Sequence, residues 1–488
     1  MNKQIYNAVK WSGLTEVIAK LITPITSMVL ARLLAPEMFG VVASITMITS
    51  LADIFSDAGF QKYLIQKEFE TEEDLHKNAN VAFWTNLLIS FGLWFLVIIF
   101  SKKLTIFMGS DGLETELIVA CTSLPLTSFS SIQIALYRRS FDFKTLFINR
   151  IAAILVPIFV TIPLAIFWRN YWSLIIGTIF VNLVNAVMLT VRSKWKPKLF
   201  FKLSLLKEMI SFSIWTLFEQ IITWLTSYAD IFVVGRILSA YWLGIYKTSM
   251  TTVNQITNII VMAITPVMFS ALSRAQNDDN KFKETFLSFQ QKISMLIIPL
   301  GVGIFLHREL VTDILLGKQW GDAIMFVGIW GVTSSIAIVL GQFCSEAFRA
   351  KGKPWLSCIV QIIALTNILI VVSLFVKEDF TKLAYARSLV RLLGTMVNVA
   401  MLQIFVKISI GKMFASMKYA VAATMLMVLL DMVLGHINGG TIWEFFVIAI
   451  DVVVYFGTLL IFPDVRRQVM QIDFVTKTLS KLRSNNDK

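Results

Sequence analysis

Apolar residues fill run after run of this chain, and the polar residues between them gather into short connecting segments. At about 20 apolar residues per membrane crossing, the pattern predicts about 14 helical spans. They fall near residues 11–31, 39–60, 79–99, 115–136, 146–167, 171–191, 210–233, 241–270, 288–306, 322–345, 355–376, 381–405, 414–434 and 442–462. Inside several spans the polar positions recur at helical spacing. Ser12, Glu16, Lys20, Thr23 and Ser27 share one face of the first, and Thr46, Ser50, Asp53 and Asp57 one face of the second. Glu219, Thr223, Ser227 and Asp230 repeat the device on the seventh, and Lys247, Thr251, Asn254 and Asn258 on the eighth. Ionisable groups in hydrocarbon face a bundle interior or a watery cavity, so four such stripes predict a shared central cavity. The competing role is adhesion between helices, with Ser, Thr and Asn bonding a neighbour and Glu16 pairing with Lys20 one turn away.

Composition sharpens the class. Of 488 residues 56% are hydrophobic and only 15% charged, and the mean hydropathy is +0.72. The expected fold is therefore an all-α polytopic membrane protein. A net charge of +13 would point to nucleic acid in a soluble domain, but here Lys and Arg concentrate in alternate short loops. That asymmetry places both termini in the cytoplasm and argues against a nucleic-acid partner. The basic N-terminal stretch imitates a secretory signal, but no small-residue cleavage site follows it, so it reads as a retained first helix. Cys121, Cys344 and Cys358 fall in apolar runs without metal or redox spacing and are expected in the core. His76, His307 and His436 fall at loops or span ends and are expected to be solvated. No loop is long enough for a folded catalytic domain, so the chain is expected to be no enzyme, to need no cofactor or metal, and to act within the membrane.

An internal echo divides the chain. Ala31 to Val42 aligns without a gap on Gly235 to Tyr246 at an offset of 204, matching Arg32 with Arg236, Leu34 with Leu238 and Gly40 with Gly244. Ala135-Leu136-Tyr137-Arg138-Arg139 falls on Glu346-Ala347-Phe348-Arg349-Ala350 at an offset of 211, seven residues further on. Two parallel six-helix lobes are expected, residues 1–200 and 201–408, around a central cavity, followed by two extra helices at 409–463 and an amphipathic cytoplasmic tail at 464–488. Arg32 and Arg236 then occupy matching outer-rim positions. Lys196 to Leu203 and the tail are expected to lie on the anionic leaflet.

Candidate chemistry follows from cations that need anions. Lys20, Lys247, Arg387 and Arg391 lie inside spans, and Arg387 and Arg391 have no acid within a turn along their own helix. They are the expected contacts for an anionic substrate, since guanidinium offers a fork of donors matching phosphate oxygens. Glu16, Glu219 and Glu346 are carboxylates able to change charge, hence candidates for H⁺ or Na⁺ coupling or for gating. Asp53, Asp57 and Asp230 approach span ends, where snorkelling or capping is expected; Asp431 and Asp451 receive no role. Pro24, Pro125, Pro157, Pro163, Pro266 and Pro299 are expected to kink their helices.

The stretches Ala31 to Gly40, Asp53 to Phe60, Ala135 to Arg139 and Asp230 to Tyr246 resemble the polysaccharide-exporting, Wzx-like flippases of the multidrug/oligosaccharidyl-lipid/polysaccharide (MOP) superfamily. The resemblance covers essentially the whole chain. It implies two six-helix lobes plus two helices, and alternating-access translocation of an undecaprenyl-pyrophosphate-linked oligosaccharide from the cytoplasmic to the outer face of the bacterial inner membrane. A polysaccharide polymerase and glycosyltransferases are the implied partners. The family has no invariant catalytic motif to carry over, so the site residues above rest on the residues alone. Competing readings are an ion-coupled multidrug/toxin exporter of the same superfamily, a glycan polymerase or ligase, and an assembly scaffold.

Overall fold

The structure is a computed structural model that describes residues 2–57, 59–377, 379–435, 437 and 440–470, with side chains from residue 10 onward except Trp215 and 468–470. Every regular element among them is helical. Thirteen helices are long and apolar enough to cross a membrane, and a bent pair makes a fourteenth. We number them α1 (Asn2–Leu33), α2 (Pro36–Asp57), α3 (Glu72–Met108), α4 (Glu114–Arg139), α5 (Phe143–Trp168), α6 (Trp172–Arg192), α7 (Leu203–Ile237), α8 (Ala240–Arg274), α9 (Asp279–Leu306), α10 (Lys318–Ala350), α11 (Trp355–Phe375), α12 (Phe380–Val406), α13 (Ile410–Ser416 with Lys418–Leu434, bent by 50°) and α14 (Gly440–Ile461). The chain is a multi-pass membrane protein.

The helices outrun the apolar windows because their ends are capped. At 37 residues α3 is about 55 Å long, well beyond a hydrocarbon core of about 30 Å. Its first turn is acidic and Thr71 accepts from the Asp74 backbone N–H at 3.1 Å; Gly109, with φ 73°, ends it in the left-handed conformation glycine tolerates. Asp278 likewise accepts from two amides at the start of α9. The helix of α5 widens into a π turn at Pro157–Thr161, where the proline cannot donate.

Beside an apolar core, polar side chains are buried and large apolar ones exposed. Asn86, Gln133, Gln290 and Ser294 are almost fully buried, whereas Phe95, Phe159, Phe167 and Ile442 point outward. Outward apolar side chains suit hydrocarbon, and inward polar ones bond across helices. Cys121 and Cys344 are buried as expected; Cys358 is exposed on the outside of α11, because its apolar run offers lipid-facing as well as core positions.

Two compact units are distinguishable. The first comprises Met1–Thr252, Ile314–Asp322 and Leu365–Ala386, the second Val253–Asp313, Ala323–Ala364 and Arg387–Lys488. In the first, a core of Phe60, Tyr63, Leu64, Phe83, Ile132 and Met209 joins α3, α4 and the start of α7 through the short helix Phe60–Gln66. The connecting segment before α7 is tied to this core: Trp84 donates to the Lys198 carbonyl at 2.9 Å and the Lys198 amide to Asn80 at 2.9 Å, leaving Leu199 and Phe201 exposed. In the second, Phe282, Phe286, Ile293, Phe343, Phe348 and Leu402 form the core of α9, α10 and α12. Val465 of the tail is buried there against Met427, Tyr455 and Leu459. The apolar position of the tail's first turn therefore packs on protein, with Asp464, Arg466 and Arg467 exposed around it; the tail from residue 471 lies outside the described residues.

Candidate functional site

The stripes of the first unit divide between adhesion and exposure. On α2, Asp53 accepts from Thr127 at 2.7 Å and Asp57 from Ser131 at 2.8 Å, both across to α4, and Ser50 accepts from Trp224 of α7 at 3.0 Å. Hydroxyls of Ser56, Ser90 and Ser128 bond one another between α2, α3 and α4. Asp230 is buried and accepts from Tyr246 at 2.9 Å. The expectation of snorkelling or capping gives way to helix-to-helix hydrogen bonds, because each aspartate finds a hydroxyl one helix away. On α1 and α7, by contrast, Glu16, Thr23, Glu219, Thr223 and Ser227 are exposed.

Lys20 is half-buried and forms no ion pair among the described residues; in particular, Glu16 and Lys20 do not pair, although they are four apart. Lys247 lies 5.4 Å from the centre of the Tyr228 ring, which stacks on Trp224. That aromatic pair gives the ammonium a π face without neutralising it. Glu219 is engaged by Lys62 at 3.1 Å, with both groups well exposed. Five residues further on, Lys67 donates to Glu208 and to the Tyr63 hydroxyl. Burial alone would lower the pKa of Lys67, but these bonds outweigh it and hold it above the usual lysine range.

In the second unit Arg387 and Arg391, one turn apart on α12, both reach the Trp330 indole of α10, at 5.2 and 4.4 Å from the ring centroid. Trp330 is buried, packs edge-on against Phe326 at 5.7 Å, and donates its Nε1–H to Asn254 of α8 at 3.3 Å. Arg391 has no ion pair among the described residues. Arg391, with its guanidinium over the indole and no ion pair among the described residues, offers donors that can bond phosphate oxygens. The sequence marked the arginines and Asn254 but not Trp330. An aromatic in an apolar run carries no signal of its own; the cue in the sequence is two arginines one turn apart with no acid within a turn along their own helix.

Glu346 is buried and bonded to Arg349, half-exposed on the next turn of α10. The aligned Arg138–Arg139 pair works differently: Arg139 donates to the carbonyls of Leu64, Ile65 and Lys67, closing the end of the short helix Phe60–Gln66. Of the pair expected at the outer rim, Arg32 donates through Nε and Nη2 to the Ile314 carbonyl at 3.1 and 2.7 Å, while Arg236 lies over the Phe107 ring at 5.3 Å. Gln319 adds bonds to the carbonyls of Ala31, Arg32 and Leu34, and Trp320 one to Ala31. These arginines fasten helix ends.

His307 departs from expectation. It sits at the end of α9 but is largely buried, 3.1 Å from Asp451 and 3.6 Å from Asp431. His76 is exposed as expected, and His436 lies outside the described residues.

Residues 29–325 match a family model described as polysaccharide biosynthesis protein. Among curated relatives, the chain is 22% identical over 341 residues to the succinoglycan biosynthesis transport protein ExoT of Rhizobium meliloti (strain 1021), covering 70% of this chain and 68% of the relative. It is 22% identical over 355 residues to the lipopolysaccharide biosynthesis protein WzxC of Escherichia coli (strain K12), covering 72% and 71%. Among solved structures, the lipid II flippase MurJ in an inward closed conformation superposes with a TM-score of 0.70 at 14% identity, over 95% of this chain and 100% of that one. An inward-facing multidrug resistance MATE family transporter of the MOP superfamily gives 0.62 at 13%, over 82% and 98%.

Proposed function

This chain belongs to the polysaccharide biosynthesis protein family, and from that premise we propose that it flips a lipid-linked oligosaccharide, carried on undecaprenyl pyrophosphate, across the bacterial inner membrane for surface polysaccharide synthesis. Both termini lie in the cytoplasm in this reading. The lipid stays in the bilayer, and the protein supplies a polar route for the sugar and the charged pyrophosphate, which hydrocarbon excludes. Movement is by alternating access of the lobes 1–200 and 201–408, with residues 409–463 as an appendage.

The observation that carries the substrate chemistry is the Arg387–Arg391 pair over Trp330, with no acid paired to Arg391 among the described residues. An anionic pyrophosphate supplies the missing negative charge, and Lys20 and Lys247 add further cationic positions. Glu16, Glu219 and Glu346 are the carboxylates proposed for H⁺ or Na⁺ coupling. A polysaccharide polymerase and glycosyltransferases acting before and after the flip are the proposed partners. A drug exporter favouring cations fits this positive centre less well, and the MATE-type fold extends over less of the chain than the lipid II flippase fold does.

The direct test reconstitutes the purified protein in proteoliposomes with a fluorescent undecaprenyl-pyrophosphate oligosaccharide. Protein-dependent movement of label across the bilayer is expected, lost on Arg391→Glu. Equal movement in protein-free vesicles, or an unaffected Arg391→Glu variant, would remove the proposal.

A further inference from the structure

We propose that His307, Asp431 and Asp451 form a binding site for a first-row transition divalent cation of the zinc type, which staples α9 to the two C-terminal helices. The three side chains arrive from three elements: His307 follows the last residue of α9, Asp431 lies one turn before the end of α13, and Asp451 sits midway along α14. One donor atom from each lies within 4.8 Å of the others. His307 Nε2 is 3.1 Å from Asp451 Oδ2 and 3.6 Å from Asp431 Oδ1. Zinc bonds to imidazole nitrogen and carboxylate oxygen are about 2.0–2.2 Å, which gives a tetrahedron with edges of about 3.3–3.6 Å. The two observed separations bracket that edge.

A second observation points to a ligand. The Asp451 side chain is only 5% exposed, and its Oδ1 is buried without a hydrogen-bond partner among the described residues. A buried carboxylate oxygen left unbonded is costly in an apolar bundle, and a cation satisfies it. The cluster also adjoins a cavity of about 310 Å³ lined by His307, Asp431, Arg308, Glu309, Trp443 and Glu444. The cavity gives a fourth coordination position room for water, and its two glutamates offer an incoming cation negative charge at the approach.

Charge and donor type select the ion. Two carboxylates and a neutral imidazole are balanced by a divalent cation, whereas a protonated histidine leaves one negative charge uncompensated. Sodium, magnesium and calcium favour all-oxygen sites, while imidazole suits zinc and its neighbours. The end of α13 that carries Asp431 is tied down: Gly435 donates to the Asp431 carbonyl at 2.7 Å, and Trp443 of α14 to the Leu434 carbonyl at 3.1 Å. Neither α13 nor α14 belongs to the sequence repeat, so the site joins the appendage to the repeat.

The test uses full-length, tag-free, chelator-treated protein in detergent, titrated with Co²⁺ as a spectroscopic stand-in and then with Zn²⁺, Na⁺ and Ca²⁺. One equivalent of Co²⁺ with the visible bands of a four-coordinate site is expected, displaced by Zn²⁺ but not by Na⁺ or Ca²⁺, and Zn²⁺ should raise Tm. His307→Gln and Asp451→Asn should each weaken binding at least about 100-fold and abolish the Zn²⁺ effect on Tm. Should either variant fail to run as a monodisperse species, Asp431→Asn and the wild-type Co²⁺ spectrum decide. Absence of a stoichiometric site in the wild type, displacement by Na⁺ or Ca²⁺ alone, or unchanged affinity in the variants overturns the proposal and leaves a histidine–carboxylate triad with a packing role only.

Discussion

Gly40 and Gly244 are reciprocal partners at the crossing of α2 and α8: a Cβ on Gly40 would lie 1.8 Å from the Ala240 carbonyl oxygen, and one on Gly244 would lie 1.9 Å from that of Pro36. Pro36 and Ala240 are themselves equivalents at the offset of 204 that relates the two glycines. The contact is thus symmetric in sequence and in space, and each helix start needs a glycine in the other to approach so closely.

Gly40→Ala and Gly244→Ala should each destabilise the protein by about 1–3 kcal/mol, because the methyl meets backbone that cannot rotate away. Gly92→Ala, at a helical glycine with nothing within 4 Å, should be neutral or stabilising by about 0.5–1 kcal/mol. Thermal melts of the detergent-purified variants check this. A Gly40→Ala protein melting with the wild type would contradict the close crossing.

Arg391→Glu should abolish polymer export in a cell assay while membrane abundance stays near normal, and Arg391→Lys should retain only part of it, since a point charge replaces a planar fork. A double-mutant cycle between Arg391→Met and Trp330→Leu should give a coupling of about 0.5–2 kcal/mol in melting stability, the range for a cation over an indole. Strict additivity would mean the two do not interact.

If the carboxylates couple transport to an ion, translocation in proteoliposomes should accelerate under an imposed proton or sodium gradient, and one of Glu16→Gln, Glu219→Gln or Glu346→Gln should lose that response. Glu219→Gln itself should change stability by no more than about 1 kcal/mol, because its bridge to Lys62 is exposed. Rates indifferent to both gradients would end the coupling hypothesis.

Arg139→Ala strands three carbonyls at the end of the short helix Phe60–Gln66. A loss of about 1–3 kcal/mol is expected, with Arg139→Lys recovering part of it. Hydrogen exchange localised to residues 60–67 would confirm where the loss is felt; unchanged protection there would argue against the role.

The spans are legible in the sequence because a bilayer demands a minimum apolar run for every crossing, and the bend of α13 is not legible because its break at Met417 carries no proline or glycine. The caps that lengthen α3 and α9 lie outside the apolar windows, so those ends were not legible. Site chemistry was less so. His307 is expected to be solvated because it ends an apolar run, and its partners Asp431 and Asp451 lie on helices more than a hundred residues away. Asp53 and Asp57 looked like cap residues for the same reason, since the hydroxyls that bind them belong to α4. Pairing across helices is set by rotation about each axis, which one helix's sequence does not report.

The clasp on the end of α1 has a consequence for the order in which the protein is made. The carbonyls of Ala31, Arg32 and Leu34 receive their donors from Gln319 and Trp320, and Arg32 its acceptor from Ile314. Those donors leave the ribosome about 15–60 s after the helix they close, at roughly 5–20 residues per second. For that interval the C-terminal end of the first helix stands unfastened, without its final partners until well over half of the chain has been synthesised.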